Sequence, residues 1–166
     1  MKHFTGRGIS RGFTIVELLI VIVVIGILAA ITIVAYNGVQ NRATDTTVQS
    51  DLNNFAKQLG VYQAENGSYP VTLSSALGIK FSRSSYSTAQ NNIYYCADAA
   101  GSAYSLTVLS KSGKMYVMSS ANGLATYTGG WGGSTTCTTN GFASTDFRSH
   151  GYNTATTPNW QAWVAG

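Results

Sequence analysis

The chain has 166 residues and a formal net charge of +4, and only 10% of its residues are charged, against about 25% in an ordinary soluble domain. This length leaves room for one domain and one further element. Lys2, Arg7 and Arg11 carry three of the ten basic charges, so without residues 1–12 the balance falls from +4 to +1. The basic character belongs to the N-terminal tip and does not indicate a nucleic-acid-binding surface.

The N-terminal third begins with a basic, Gly-rich segment, residues 1–12, in which no periodicity predicts structure. Residues 13–36 are almost wholly apolar, and at about 1.5 Å per residue they are long enough to cross a hydrocarbon core of about 30 Å. Basic residues precede the stretch, so the positive-inside rule predicts a cytoplasmic N-terminus. The stretch contains one carboxylate, Glu17, and an ionisable group inside a membrane segment is a functional candidate by default.

The helical pattern continues beyond the apolar stretch. An apolar stripe with spacing 4, 3, 4, 3 is formed by Val48, Leu52, Phe55, Leu59 and Tyr62. Polar residues, Asp45 and Asp51 among them, separate these positions and are expected on the solvent face. We therefore predict one helix from about residue 13 to about residue 64, ended by Asn66-Gly67 and followed by Pro70.

The remainder, residues 67–166, is rich in Ser, Thr, Tyr, Gly and Asn and predicts a β-rich head. Residues 103–110 and 114–120 alternate with strand period around a Lys-Ser-Gly-Lys turn, which predicts a hairpin. Residues 92–97 and 124–129 are further predicted strands, and the tail is expected to contain loops and one short strand near its end. The predicted fold class is α+β: a long helix, amphipathic over residues 37–66, packed on an antiparallel sheet of about four strands.

Two cysteines, Cys96 and Cys137, lie in this head. An even number of cysteines in an exported chain suggests one disulfide, and two free thiols are the alternative. Two cysteines without a nearby pair of histidines are too few for a structural zinc site. His150 stands alone, so no catalytic or metal site and no cofactor is predicted, and we expect no enzymatic activity.

The order of residues 11–36 is specific: a base, Gly12, Phe13, Thr14, two further residues, Glu17, and then the apolar span. It closely resembles the prepilin signal of type IV pilins and of the pseudopilins of type II secretion. Residues 51–70 are similar, less specifically, to the helix end and Tyr-Pro turn of many members. One departure is Val34, where many pilins have Pro, so the helix is expected to be more continuous here despite Gly26.

The resemblance implies how the chain is processed and assembled. A prepilin peptidase would cut between Gly12 and Phe13, and the same enzyme family would methylate the new Phe13 amine. Glu17 matches the family's acid, and it could pair with that amine within one subunit or between two. Membrane lipid would hold the precursor in the cytoplasmic membrane. An inner-membrane platform with an ATPase motor would then build a homopolymeric surface filament, with minor pilins as further partners.

The most direct interpretation is a structural subunit, a major type IV pilin. A minor pilin or a secretion pseudopilin is the alternative within the class. A membrane-anchored adhesin or DNA-binding surface receptor is the alternative from another class, although neither DNA nor a host surface can be inferred as a partner. Trp131, Trp160 and Trp163 are expected to pack in the head rather than to form a ligand surface.

Overall fold

The computed structural model describes residues 12–154 and 159–164. Of the predicted leader, only Gly12 falls within these residues. The chain divides into two compact units, an N-terminal unit of residues 1–39 and a C-terminal unit of residues 40–166. One helix, α1, spans Ile15–Asn66 and therefore belongs to both units.

In the N-terminal unit, α1 runs without a break through Gly26 and position 34. β-branched residues are poor helix formers in water, but a helix satisfies all its backbone hydrogen bonds internally, as a lipid environment requires. Every side chain described in this unit is exposed.

In the C-terminal unit, α1 ends where the sequence predicts. Gly67 adopts a φ of 78°, in the left-handed region that glycine tolerates, and its N–H donates to the carbonyl of Gln63 at 2.8 Å. The side-chain amide of Asn66 donates to the carbonyl of Tyr62 at 2.9 Å. The predicted Asn-Gly stop is confirmed. The helix itself ends at Asn66, two residues later than the predicted end at about residue 64.

The head contains a five-stranded antiparallel sheet in the order β4-β3-β2-β1-β5. Its strands are β1 (Ile93–Ala97), β2 (Tyr104–Leu109), β3 (Met115–Ser119), β4 (Gly123–Thr126) and β5 (Phe147–His150). The four predicted strands are β1 to β4, and the predicted hairpin is β2–β3. A fifth strand, β5, pairs with β1 and was not predicted.

The sheet is covered on both faces. The apolar stripe of α1 packs on one face, and Val48, Leu52, Phe55 and Leu59 are all buried in the core. A short helix, α2 (Gly133–Thr139), contacts β1 and β5. Because both of its faces are covered, every residue of β1 is buried. β3, nearer the edge, alternates between buried and half-buried positions.

The tail contains more regular structure than predicted. Besides α2 and β5, two short strands pair as β6 (Tyr152–Asn153) and β7 (Asn159–Trp160). The predicted strand near the chain end corresponds to β7, followed by a 3-10 turn at Ala162–Val164.

Candidate functional site

The candidate site is the start of α1, where Thr14 and Glu17 bind each other. Glu17 Oε2 accepts hydrogen bonds from the Thr14 backbone N–H at 2.9 Å and from the Thr14 hydroxyl at 2.7 Å. The backbone N–H of Glu17 donates in turn to Thr14 Oγ1 at 3.2 Å. This reciprocal pair is a capping box, which satisfies backbone donors that the first helical turn leaves unpaired. Sequence reasoning missed Thr14, although Thr-x-x-Glu is the known signal for the motif.

The capping box gives Glu17 a role in the single chain. A cap of this kind stabilises a helix by about 1 kcal/mol, and a carboxylate in the first turn also interacts favourably with the helix dipole. The hydrogen bonds that Glu17 accepts all end on Oε2. In the part of the chain that the structure describes, Oε1 has no hydrogen-bond partner, so one carboxylate oxygen can still accept a donor from outside.

Phe13 lies just outside the helix. The predicted i, i+4 relation to Glu17 assumed a helix beginning at Phe13, whereas α1 begins at Ile15 and Thr14 occupies the capping position. The Phe13 side chain is 84% exposed. Gly12 has no side chain, and a Cβ built on it would meet none of the described residues within 4 Å.

The rest of the site is an apolar surface. Between Phe13 and Val39, the large apolar side chains that the structure describes are between 47% and 85% exposed. α1 contains a stretch long and apolar enough to cross a membrane, and none of that stretch is buried within the chain. Exposed apolar surfaces of this extent mark contacts with lipid or with other proteins. Among the described residues, the geometry offers a helix start with one free carboxylate oxygen, followed by a long exposed apolar surface.

Cys96 and Cys137 form a disulfide with a Cα–Cα distance of 5.6 Å, and both are fully buried. Cys96 lies on β1 and Cys137 on α2, so the bond fastens α2 to the sheet. It is a structural element of the head.

Asp45 is buried, although its place in the sequence predicted a solvent-facing position. Its Oδ1 accepts from the hydroxyls of Ser110 at 2.8 Å and Ser112 at 2.5 Å, and its Oδ2 lies 3.1 Å from the Nζ of Lys114. Burial raises the pKa of Asp45, but the bonds from Ser112, Ser110 and Lys114 together outweigh it and hold the pKa below its ordinary value. This carboxylate ties α1 to the β2–β3 turn.

Asp51 is the second misassigned carboxylate. Its Oδ2 accepts from the backbone N–H of Ser82 at 2.7 Å and from the Tyr86 hydroxyl at 2.9 Å, and its Oδ1 accepts from the Ser82 hydroxyl at 3.2 Å. Burial, together with the charge of Asp51, raises the pKa of Tyr86 well above its usual range. Sequence periodicity could not reveal either carboxylate as buried, because the partners lie at least 31 residues away.

The three tryptophans pack against neighbouring groups, as expected. Trp131 lies edge-on to Tyr94, with ring centroids 4.8 Å apart, and its Nε1 donates to the carbonyl of Asn91 at 3.1 Å. Trp160 contacts Tyr152, and Trp163 is buried against Phe81.

His150 is half-buried and stacks on Phe147, and burial lowers its pKa. In residues 12–154 and 159–164, no three His, Cys, Asp or Glu side chains group as a metal site would require.

The N-terminal segment that contains the candidate site is also the segment that matches a known protein family. Residues 7–33 match the family model described as the prokaryotic N-terminal methylation motif. The matched segment includes Gly12, Phe13, Thr14 and Glu17, together with most of the apolar stretch.

The chain is also similar to characterised proteins. It is 37% identical over 97 residues to the type IV wide pilus major component PilA4 of Thermus thermophilus. The aligned region covers 57% of this chain and 70% of that protein. It is 35% identical over 63 residues to the type II secretion system core protein G of Dickeya chrysanthemi, covering 38% of this chain and 41% of that protein. The corresponding Escherichia coli protein is 36% identical over 63 residues, covering 38% and 43%.

Proposed function

The chain belongs to the family of type IV pilins and type II secretion pseudopilins, and from this premise we propose that it is the major structural subunit of a type IV pilus. The observation that carries the proposal is the extent of the similarity to the wide-pilus component. That similarity covers 70% of the relative, whereas the similarity to the secretion proteins covers less than half of them. A secretion pseudopilin is the second candidate, because the secretion proteins match at comparable identity.

The first proposed step is cleavage. A prepilin peptidase hydrolyses the amide between Gly12 and Phe13, leaving a carboxylate on Gly12 and an ammonium group on Phe13, which is then N-methylated. The exposure of Phe13, and the absence of described residues near a Cβ built on Gly12, support this assignment. Removal of residues 1–12 also removes three bases on the proposed cytoplasmic side and leaves the helix as the membrane anchor.

The second step is assembly. We propose that the Phe13 ammonium of one subunit binds Glu17 of a neighbour, and that Oε1 accepts this bond while Thr14 holds Oε2. We propose a pair between subunits because Thr14 of the same chain already holds Oε2, which leaves Oε1 for a donor from outside. An unpaired charge in apolar surroundings is costly, so the pair sets the axial register of the incoming subunit.

In the filament core, the apolar stretches of neighbouring subunits then contact one another instead of lipid. Packing between the helices, rather than the hydrophobic effect, supplies the specificity of these contacts. The heads form the filament surface. Polymerisation requires a motor ATPase and a membrane platform supplied by other chains, and minor pilins are further partners in the polymer. The chain itself acts as a building unit and not as a catalyst.

The test is mass spectrometry of filaments sheared from the cells that make this chain. We expect this chain to be the main component and its N-terminal peptide to begin with N-methylated Phe13. Filaments in which the chain still begins at Met1 would contradict the processing step. Filaments built mainly of another chain, with this one in small amount, would favour a minor pilin. Assembly only when a secretion system is present would favour the pseudopilin.

A further inference from the structure

One end of the C-terminal unit carries a cluster of exposed cations, here named the basic end: Arg42, Arg83, Lys111 and Lys114. Arg42 lies on α1, and the two lysines lie in the β2–β3 turn. The Lys111 N–H donates to the carbonyl of Ser85 at 2.9 Å, which joins this turn to the 3-10 turn Arg83–Ser85. Arg42 lies close enough to Lys114 for the two charges to repel each other. Three separate segments that carry cations thus meet at this end, where the Arg83 guanidinium lies over the Trp160 ring, 5.8 Å from its centroid.

The acidic groups at the same end face inward. Asp45 and Asp51 are only 4% and 8% exposed, and each accepts hydrogen bonds from the segments that carry the cations. Asp45 holds the β2–β3 turn, and Asp51 holds Ser82 beside Arg83. Lys114 is paired with Asp45, but its side chain remains 64% exposed. The two carboxylates therefore fix the loops in place while the surface presented to solvent is positive.

An outward-facing group of cations fits an anionic partner. Arg42 follows Tyr36, the end of the apolar stretch, by six residues in the same helix, and residues 37–41 between them carry no charge. We propose that the basic end binds the anionic phosphate headgroups of the bilayer that holds the unassembled subunit, an inference that rests on the proposed membrane-anchored precursor. Each Lys or Arg near an anionic bilayer strengthens the attraction, which falls off within a Debye length.

A second copy of the chain is a poorer fit as the anionic partner. Within the described part of the C-terminal unit, Asp98 is bound by Ser102, and Asp146 is paired with Arg148. Glu65 is the exposed carboxylate there that makes no hydrogen bond or ion pair, and a single carboxylate cannot neutralise the basic end. A bilayer offers many phosphates at once.

The experiment places the processed full-length chain, one copy per disc, in nanodiscs of phosphatidylcholine alone or with about 30% phosphatidylglycerol. Lysines are acylated briefly with an amine-reactive ester, and labelling is measured for each lysine by mass spectrometry. Anionic headgroups bind the charged amine and cover it, so labelling of Lys111 should fall at least about threefold with phosphatidylglycerol. It should recover in about 0.5 M salt. Lys57, exposed in the same molecule about four turns further along α1 than Arg42, is an internal control and should not change.

A matched pair of variants sharpens the result. Arg42→Gln should restore much of the Lys111 labelling in the anionic discs, because it removes a neighbouring charge that attracts headgroups. Lys57→Gln removes the same charge about four turns further along α1 and should have no effect. Equal Lys111 labelling in both lipids would overturn the inference and leave the proposed function standing. Protection by a short DNA duplex but not by anionic lipid would also overturn it. A chain that fails to enter either disc would contradict the membrane anchor, and with it both proposals.

Discussion

The apolar side chains of α1 that pack on the sheet are buried in the C-terminal unit of this chain, whereas those described in the N-terminal unit are exposed. In the C-terminal unit α1 buries Leu52 completely beneath the sheet, whereas in the N-terminal unit Leu28, on the same helix, is 57% exposed. The head is therefore stable through contacts within one chain. The N-terminal unit leaves its apolar side chains for lipid or for other subunits. The contrast shows that an apolar segment need not belong to the core of its own chain, because lipid or another subunit can bury its side chains instead.

Three of the four carboxylates of α1 follow the same division, and the fourth, Glu65, is exposed near the end of the helix. Asp45 and Asp51 are buried, and each accepts three polar contacts from the head. Glu17 has one oxygen bound by Thr14 and the other open. Two of the three carboxylates thus complete the fold, and the third remains available for a partner.

The largest expected effect concerns the open carboxylate. Glu17→Ala should leave cleavage after Gly12 intact and lower filament yield more than about 100-fold, because the Phe13 ammonium would be left unpaired in the filament core at a cost of about 3–5 kcal/mol. Immunoblots of sheared filaments and of the membrane fraction measure the two outcomes separately.

Glu17→Gln is the matched control, since Gln also serves in a capping box but carries no charge. If charge pairing is the function of Glu17, the Gln variant should be as defective as the Ala variant. Normal filaments from Glu17→Gln would show that Glu17 acts only as a helix cap. Glu17 would then serve the fold of its own chain, as Asp45 and Asp51 do, rather than a partner.

The head should depend on its disulfide. Replacing both Cys96 and Cys137 by Ser should lower the free energy of unfolding of the head by about 4 kcal/mol, because the bond restricts a closed loop of about 42 residues in the unfolded chain. Denaturant unfolding in mild detergent, followed by near-ultraviolet circular dichroism of the head's aromatic residues, measures it. Reduction of the unmodified chain should reproduce the loss, and an unchanged transition midpoint would contradict it.

Two leucines on one helix test the comparison directly. Leu52→Ala should destabilise the head by about 3 kcal/mol through the cavity it creates. Leu28→Ala should leave the same unfolding curve unchanged, because Leu28 is exposed and lies outside the buried core of the head, and should instead weaken sheared filaments. Similar unfolding losses for the two variants would show that the units are not independent.

A smaller effect is expected with pH. The pKa of Asp45 is lowered in the folded head, so its ionised form contributes stability above its ordinary pKa of 3.8, and that stability is lost as the pH falls through the lower folded value. Between about pH 5 and pH 3 the unmodified head should lose more stability than Asp45→Asn, which cannot titrate. Parallel pH profiles of the two proteins would contradict the assignment.

Much of this architecture could be predicted from local patterns. The 4, 3, 4, 3 stripe identified the buried face of α1, the Asn66-Gly67 stop identified its end, and the alternation around the Lys-Ser-Gly-Lys turn identified the β2–β3 hairpin. These features are encoded by residues close together in the chain, so a single sequence reveals them.

What could not be predicted depends on distant partners. β5 is too short and polar to read as a strand, and it forms because it pairs with β1, more than 50 residues earlier. Asp45 and Asp51 were placed on the solvent face because periodicity records polarity and not the hydroxyl donors that loops bring to a helix. At the candidate site, Glu17 was identified by its rarity in an apolar stretch, while its bonds to Thr14 were overlooked.

The central claim is that the apolar half of α1 and the open carboxylate of Glu17 are completed by other subunits. A filament density map at side-chain resolution tests it most directly. The account predicts that the Phe13 nitrogen of one subunit lies at about 3 Å from a carboxylate oxygen of Glu17 in a neighbour, with the apolar stretches packed together in the core. A map in which Phe13 pairs with Glu17 of its own chain, or in which the apolar stretches do not touch, would contradict it.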